Sequence, residues 1–317
     1  MKKIVGFILF VALLLVIGGG IIIFVGAKNG DFKASGGKTI TNNYDIEEEF
    51  NEINVSIDIT AVEFKKADDG KCKVECVEKE KIQHKVEVKD GKLTIEAEDN
   101  RKPLEKFFMF NNNKLKVTVY LSADNTYNLK LEGHTGSVTL SKDLKFNDVD
   151  VKLSTASIDS SATINNNLKI EVSTGSIHIE NTNPQSADLK VSTGNMNVKN
   201  LNVAGAFNCK TSTGDIKFED VNANSLSIKG TTSEIILKNT IVAGHLKIEV
   251  STGDVRLDHC DADTIRIDTS TGDVKGTILS AKSFIVHTDT GRCNVPKTTG
   301  NLCEIETDTG NIDIELA

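Results

Sequence analysis

From about residue 127 to the end, apolar and polar residues alternate with a local period of two, and the pattern resets every 19 or 20 residues. The recurring tripeptide Ser-Thr-Gly supplies a reference point. Taking its glycine as zero, equivalent positions are Gly136, Ala156, Gly175, Gly194, Gly214, Ser233, Gly253, Gly272, Gly291 and Gly310. The residue before each is threonine: Thr135, Thr155, Thr174, Thr193, Thr213, Thr232, Thr252, Thr271, Thr290 and Thr309. Apolar side chains sit seven and five residues before zero and two and four after it. Leu246, Ile248, Val255 and Leu257 fill these places around Gly253, and Leu226, Ile228, Ile235 and Leu237 around Ser233. The positions between them are mostly Lys, Glu, Asp, Asn or Ser.

A period of two places alternate side chains on opposite faces of a strand. Each repeat therefore reads as strand, Thr-Gly corner, strand and loop. One such coil cannot bury its own apolar face, so coils must stack, each column of side chains packing on itself about 4.8 Å higher. The pattern predicts an all-β, single-stranded β-solenoid (β-helix) of about ten coils over residues 127–317, roughly 45–50 Å long at that spacing. Glycine suits a corner of positive φ, where a Cβ costs about 1–2 kcal/mol. Ala156 and Ser233 are accordingly predicted to adopt a different corner conformation. The threonines are predicted to form a ladder along one edge.

The amino-terminal part differs. Ile4 to Ala27 is an uncharged, predominantly apolar run of 24 residues behind Lys2 and Lys3. As a helix it would span about 36 Å, enough to cross a bilayer core of about 30 Å. Residues 1–27 therefore read as a transmembrane anchor. The alternative is a signal segment, with Val25-Gly26-Ala27 as a small-residue cleavage site, but the run is longer than the usual apolar part of a signal peptide. Lysines flank both sides, so charge bias is weak. A three-residue tail before the span is expected to stay in the cytoplasm while the long carboxy-terminal part is exported. That gives a single-pass cell-membrane protein with an extracytoplasmic domain, its bilayer contact made by residues 4–27.

Residues 28–44 are polar and read as a tether. Residues 45–126 read as a strand-rich cap of irregular coils. Ile53, Val55, Ile57 and Ile59 alternate, and Val86 and Val88 lead through Asp90-Gly91 to Leu93 and Ile95, a hairpin signature. Phe107, Phe108, Met109 and Phe110 form an apolar patch in a predicted loop, either a contact site or a plug for the end of the core.

The turns Ser212-Thr213-Gly214-Asp215-Ile216, Ser251-Thr252-Gly253-Asp254-Val255 and Ser270-Thr271-Gly272-Asp273-Val274, behind an apolar amino-terminal run and a strand-rich lead-in, resemble the bacterial DUF4097 family. The resemblance covers about residues 45–317. It implies a β-solenoid on the bacterial envelope, of the kind described as an adhesin, and it carries over no catalytic residues.

Composition narrows the function classes. The net charge is −8 and no long basic tract is present, which argues against nucleic acid. No second apolar run exists to make a multi-pass protein. The coils vary by one residue, leaving no room for the long loops that build clefts in catalytic β-helices. Five of the six histidines fall at unrelated offsets in the repeat and His84 precedes it, so no nucleophile–base pair or His-x-x-x-His spacing appears. Asp215, Asp254 and Asp273 read as solvated turn residues rather than a calcium signature. Cys209, Cys293 and Cys303 fall in inward columns and Cys260 alongside Leu201, Val221 and Leu279, so free buried thiols are expected, with a Cys293–Cys303 bridge conceivable. Lys217, Arg256 and Lys275 share an outward column, a solvated face or a binding strip for an anionic wall polymer. No enzyme, cofactor or metal is expected. The leading reading is a membrane-anchored, exported interaction module with an unidentified envelope protein or wall polymer as partner. The alternatives are a polymerising envelope scaffold of bactofilin-like type and, behind it, a carbohydrate-active β-helix enzyme.

Overall fold

A computed structural model describes residues 37–101 and 115–317, which form twenty-one strands and no helix. The apolar run at 4–27 and the Phe107–Phe110 patch lie outside the described residues. Among those described, no helix is long and apolar enough to cross a membrane.

The strands are β1 (Thr39–Asp45), β2 (Glu52–Ile59), β3 (Ala61–Lys66), β4 (Lys73–Lys79), β5 (Ile82–Lys89), β6 (Lys92–Asp99) and β7 (Lys116–Leu121). Then come β8 (Thr126–Leu140), β9 (Lys145–Ser160), β10 (Thr163–Thr174), β11 (Ile177–Thr182), β12 (Ser186–Thr193), β13 (Met196–Thr213), β14 (Ile216–Thr232), β15 (Ile235–Thr252) and β16 (Val255–Thr271). The chain ends with β17 (Val274–Ile278), β18 (Lys282–Thr290), β19 (Cys293–Asn294), β20 (Asn301–Thr309) and β21 (Ile312–Leu316).

From β8 onward every inter-rung pairing is parallel, and equivalent repeat positions stack. Thr135 pairs with Thr155, Thr155 with Thr174, Thr174 with Thr193, and the series continues through Thr213, Thr232 and Thr252 to Thr271. The inward columns are almost wholly buried: Leu226, Ile228, Ile235, Leu237, Leu246, Ile248, Val255 and Leu257 are 0–2% exposed. Phe207 and Phe218 stack inside one coil with centroids 5.1 Å apart. The ten corners delimit nine full turns, slightly fewer than the ten coils expected.

Two features depart from simple sequential winding. At the carboxy-terminal end Thr271 pairs with Thr309, and Thr309 with Thr290. The last coil, β20–β21, is thus inserted between β16–β17 and β18–β19, so the penultimate coil is the outermost rung. Pro296 follows β19 and cannot donate a ladder hydrogen bond, which cuts that rung short. The amino-terminal end repeats the device. β2–β3 is paired on one side with β8 and on the other with β6 and β7, which come later in sequence. There the outer rung is closed by antiparallel strands: β5 on β6, β4 on β7, and β1 on β4. Asp90 (φ 52°) and Gly91 (φ 73°) turn the β5–β6 hairpin, both in the left-handed region a tight hairpin turn needs.

The corner glycines answer to two constraints. Gly175, Gly194, Gly214, Gly253, Gly272 and Gly310 have φ between 129° and 157°. Ala156 and Ser233 do not have positive φ, and nor do Gly136 and Gly291. The second constraint is close approach: a Cβ on Gly194 would lie 1.7 Å from the Gly175 carbonyl oxygen, and one on Gly291 1.9 Å from that of Gly310.

Candidate functional site: the two ends of the rod

Along its length the solenoid carries side-chain hydrogen bonds from one rung to the next. Six residues past the corner glycine, a second column turns with positive φ: Asn181, Asn200, Asp220, Asn239 and His259, at 49–58°. Asn and Asp tolerate this conformation better than most residues. Asn200 Nδ2 donates to Asn181 Oδ1 at 2.8 Å and Asn239 Nδ2 to Asp220 Oδ1 at 2.9 Å. The sequence carries this ladder as Asn or Asp recurring at that offset.

The turn acids brace adjacent rungs. Asp254 Oδ1 accepts from the backbone N–H of Asp273 at 3.0 Å, and Asp273 Oδ1 from that of Asn311 at 2.7 Å. The Asn311 N–H, with Lys275 beside it, holds the Asp273 carboxyl below the usual aspartate value. Two of the three basic residues in the outward column pair with acids: Lys275 with Asp273 at 2.6 Å and Arg256 with Glu234 at 3.2 Å.

All six cysteines are free. Cys76, Cys209, Cys260 and Cys303 are buried and Cys72 half-buried. Burial pushes the Cys76 and Cys303 thiols up to about 12 and that of Cys260 up to about 11. Cys293 corrects the sequence reading: it is exposed rather than inward-packed, because β19 belongs to the outermost rung and, among the described residues, pairs only with β21. Leu279 is a second correction. The register shifts between Leu257 and Cys260, so Ile278 rather than Leu279 pairs with Cys260, and Leu279 is 47% exposed.

The carboxy-terminal end is open. Among the described residues β18 is paired along one edge only, with β20. Five large hydrophobics are exposed in the described residues, and four of them, Leu279, Ile285, Leu302 and Leu316, fall in residues 279–316. Ile285 is 60% exposed, while Phe284 and Val286 on the core side of the same strand are half-covered. Lys282 closes part of the core beneath: its ammonium is buried and donates to the Ala262 carbonyl oxygen and, at 2.9 Å, to Asp261 Oδ1.

The opposite, capped end carries the chemistry that sequence spacing did not reveal. Cys76, Glu78 and His84 are buried together, with one ligand atom from each within 4.8 Å of the other two. Cys76 and Glu78 lie two apart on one face of β4. His84 arrives because the chain folds back at Lys79–Ile82 into β5. A broad depression nearby is lined by Asp45, Glu47, Glu48, Glu49, Asp69 and Lys71. It is acidic and open to solvent, with Cys72, Lys73 and Ser122 also on its wall.

The chain matches one family model and several solved structures. A family model described as Toastrack DUF4097 matches residues 50–220 and 205–317. No curated protein matches the chain. Among solved structures, a "putative adhesin" from Bacteroides fragilis shares 19% identity over 88% of this chain and 97% of its own, with a TM-score of 0.42. A "putative lipid binding protein" from Parabacteroides distasonis shares 14% identity over 89% and 98%, with a TM-score of 0.43. A "putative cell adhesion protein" from Clostridium sporogenes shares 13% over 88% and 100%, with a TM-score of 0.22. These structural likenesses are weak, and the assignment rests on the family model, which covers most of the sequence. The chain belongs to the Toastrack DUF4097 family.

Proposed function

We propose that this protein is a membrane-anchored, non-enzymatic interaction module of the bacterial envelope, whose rigid rod presents its open carboxy-terminal end to a partner. The observation that carries the reading is the polarity of the rod. The first described strand, β1, is part of the capped end, so a bilayer anchor at residues 4–27 would hold that end nearest the membrane. The unpaired edge of β18 and the exposed Ile285 then face away from it. An unpaired strand edge with apolar side chains is a template for another chain. The partner is an envelope protein that adds a strand, rather than a polysaccharide: the chain has no Trp and three Tyr, which leaves little aromatic surface for sugar stacking.

Two measurements test this. Protease added to intact cells should remove the solenoid domain; protection at concentrations that digest an external control would count against export. Solubilised full-length protein should capture envelope proteins, and Ile285→Asp should abolish capture while leaving the melting temperature unchanged. Equal capture by both forms would place the contact elsewhere. The same β18 edge favours self-association as a second reading. The antiparallel cap on the other end then limits assembly to pairs, so sedimentation showing long filaments would contradict it.

A further inference from the structure

We propose that the capped end holds a divalent metal ion of zinc type, ligated by Cys76 Sγ, Glu78 and His84 Nδ1. The three side chains are a thiol, a carboxylate and an imidazole, the donor set that zinc and similar borderline ions take. They come from two strands that meet only through the β4–β5 reversal, and all three are interior: Cys76 and Glu78 are 0% exposed and His84 is 3% exposed. Placing a carboxylate, an imidazole and a thiol in contact inside a β-protein is costly unless the charge is balanced. A divalent cation balances it.

The geometry is close to a ligand set already. His84 Nδ1 stands 2.9 Å from Glu78 Oε2. That is a hydrogen-bond separation, and the His84 backbone N–H donates to the same oxygen at 2.8 Å. Two donors about 2.0–2.1 Å from one ion in a tetrahedral site stand about 3.3–3.4 Å apart, so the pair opens by roughly 0.4–0.5 Å on binding. The outer partners that fix ligand orientation are also in place. Asn42 Nδ2 donates to Glu78 Oε1, the oxygen turned away from the imidazole. Thr60 Oγ1 lies 3.2 Å from His84 Nε2. Metal-bound imidazoles characteristically donate their second N–H to such a group. A hydroxyl both accepts and donates, so Thr60 serves the ring with or without the ion. Tyr44 Oη donates to the His84 carbonyl oxygen at 3.2 Å and holds that stretch of β5.

Binding requires the Cys76 thiol to release its proton to solvent and the imidazole to carry its single proton on Nε2, donated to Thr60 Oγ1. Three protein ligands leave a fourth position for a water molecule. The consequence is mechanical. The ion ties β4 to β5, and Thr60, at the junction of β2 and β3, ties that clamp to the first inserted rung. The amino-terminal cap is then a metal-locked closure of the solenoid.

The experiment uses the full chain in detergent. Metal is stripped with a chelator, and cobalt(II) is added as a spectroscopic probe. The expected result is one equivalent bound, with a thiolate-to-cobalt charge-transfer band in the near ultraviolet. Zinc should displace the cobalt and raise the melting temperature with its concentration. Cys76→Val should abolish the band, and His84→Gln should weaken binding by about tenfold or more. Cys209→Val, which removes a buried thiol in the solenoid, should change neither. Circular dichroism shows whether each variant folds. If Cys76→Val does not fold, the His84→Gln titration decides. Absence of the band in the wild-type chain overturns the proposal, as does a band that survives Cys76→Val or undiminished binding by folded His84→Gln.

Discussion

Replacing Gly214 with alanine adds a single methyl group, and the structure puts it where two penalties act together. The residue has φ of 129°, a conformation that a side chain makes unfavourable by about 1–3 kcal/mol. The new Cβ would also lie 2.1 Å from the carbonyl oxygen of Gly194 in the neighbouring rung. Relieving that contact needs a displacement approaching 1 Å. The rungs here are held by Gly194 N–H donating to Thr213 O at 2.8 Å and Gly214 N–H to Thr232 O at 3.1 Å, so at least one of these bonds must stretch. Losing a buried backbone bond adds about 1–3 kcal/mol. The expected total is about 2–6 kcal/mol, or roughly 4–24 °C in melting temperature at about 2–4 °C per kcal/mol for a large domain. Ala156→Gly is the matched control, because that corner already accommodates a Cβ with φ outside the positive range. It should cost no more than about 1 kcal/mol. Equilibrium urea unfolding gives both values. Repeat arrays need not melt in one step, so hydrogen exchange at Ile216 and Met196 should show the damage centred on the two rungs that meet there. If Gly214→Ala lies within about 0.5 kcal/mol of wild type, backbone contact between stacked corners is not what selects glycine.

The remaining predictions concern the thiols and one turn acid. In the folded protein Cys293 should react rapidly with a thiol reagent and Cys72 more slowly. Cys76, Cys209, Cys260 and Cys303, buried and with thiols pushed well above their ordinary range, should react only on unfolding; fast modification of all six without denaturant would contradict the burial assignment. Asp273 has its carboxyl held below the ordinary value, chiefly by the Asn311 N–H and then by Lys275. A carboxylate depressed in the folded state contributes stability that is complete above its unfolded value of about 3.9 and is lost as pH falls through the lowered folded value. The rungs of β16–β17 and β20–β21 should therefore loosen in acid, and Asp273→Asn should flatten that part of the pH–stability curve. An unchanged acid slope in the variant would assign the effect to other carboxylates.

The repeat, its register and the apolar columns were legible from residues alone. Local alternation fixes which side chains face inward, and the recurring Thr-Gly fixes the distance between equivalent points. The Asn181–Asn200–Asp220–Asn239 column was equally present in the sequence. Its signal is subtler because asparagine is common in any polar turn, and only φ values near 50° show that it forms a second corner.

What sequence spacing could not give is stacking order. A register of 19 or 20 residues is the same whichever coil lies outermost, so the exchange of the Thr290 and Thr309 rungs leaves no trace in the period. Only the pairing of β20 with both β16 and β18 decides it. That exchange is why Cys293, in an inward column by count, is exposed by position. The same holds at the other end, where β2–β3 is enclosed by strands that follow it. The Cys76–Glu78–His84 cluster likewise depends on a chain reversal that no offset encodes. The sequence by itself determined a stacked β-rod, because side-chain alternation is a local property of each strand. The tertiary structure alone decided how the rod is terminated, because ends are set by which segment returns to fill the last layer, a long-range choice that local pattern does not constrain.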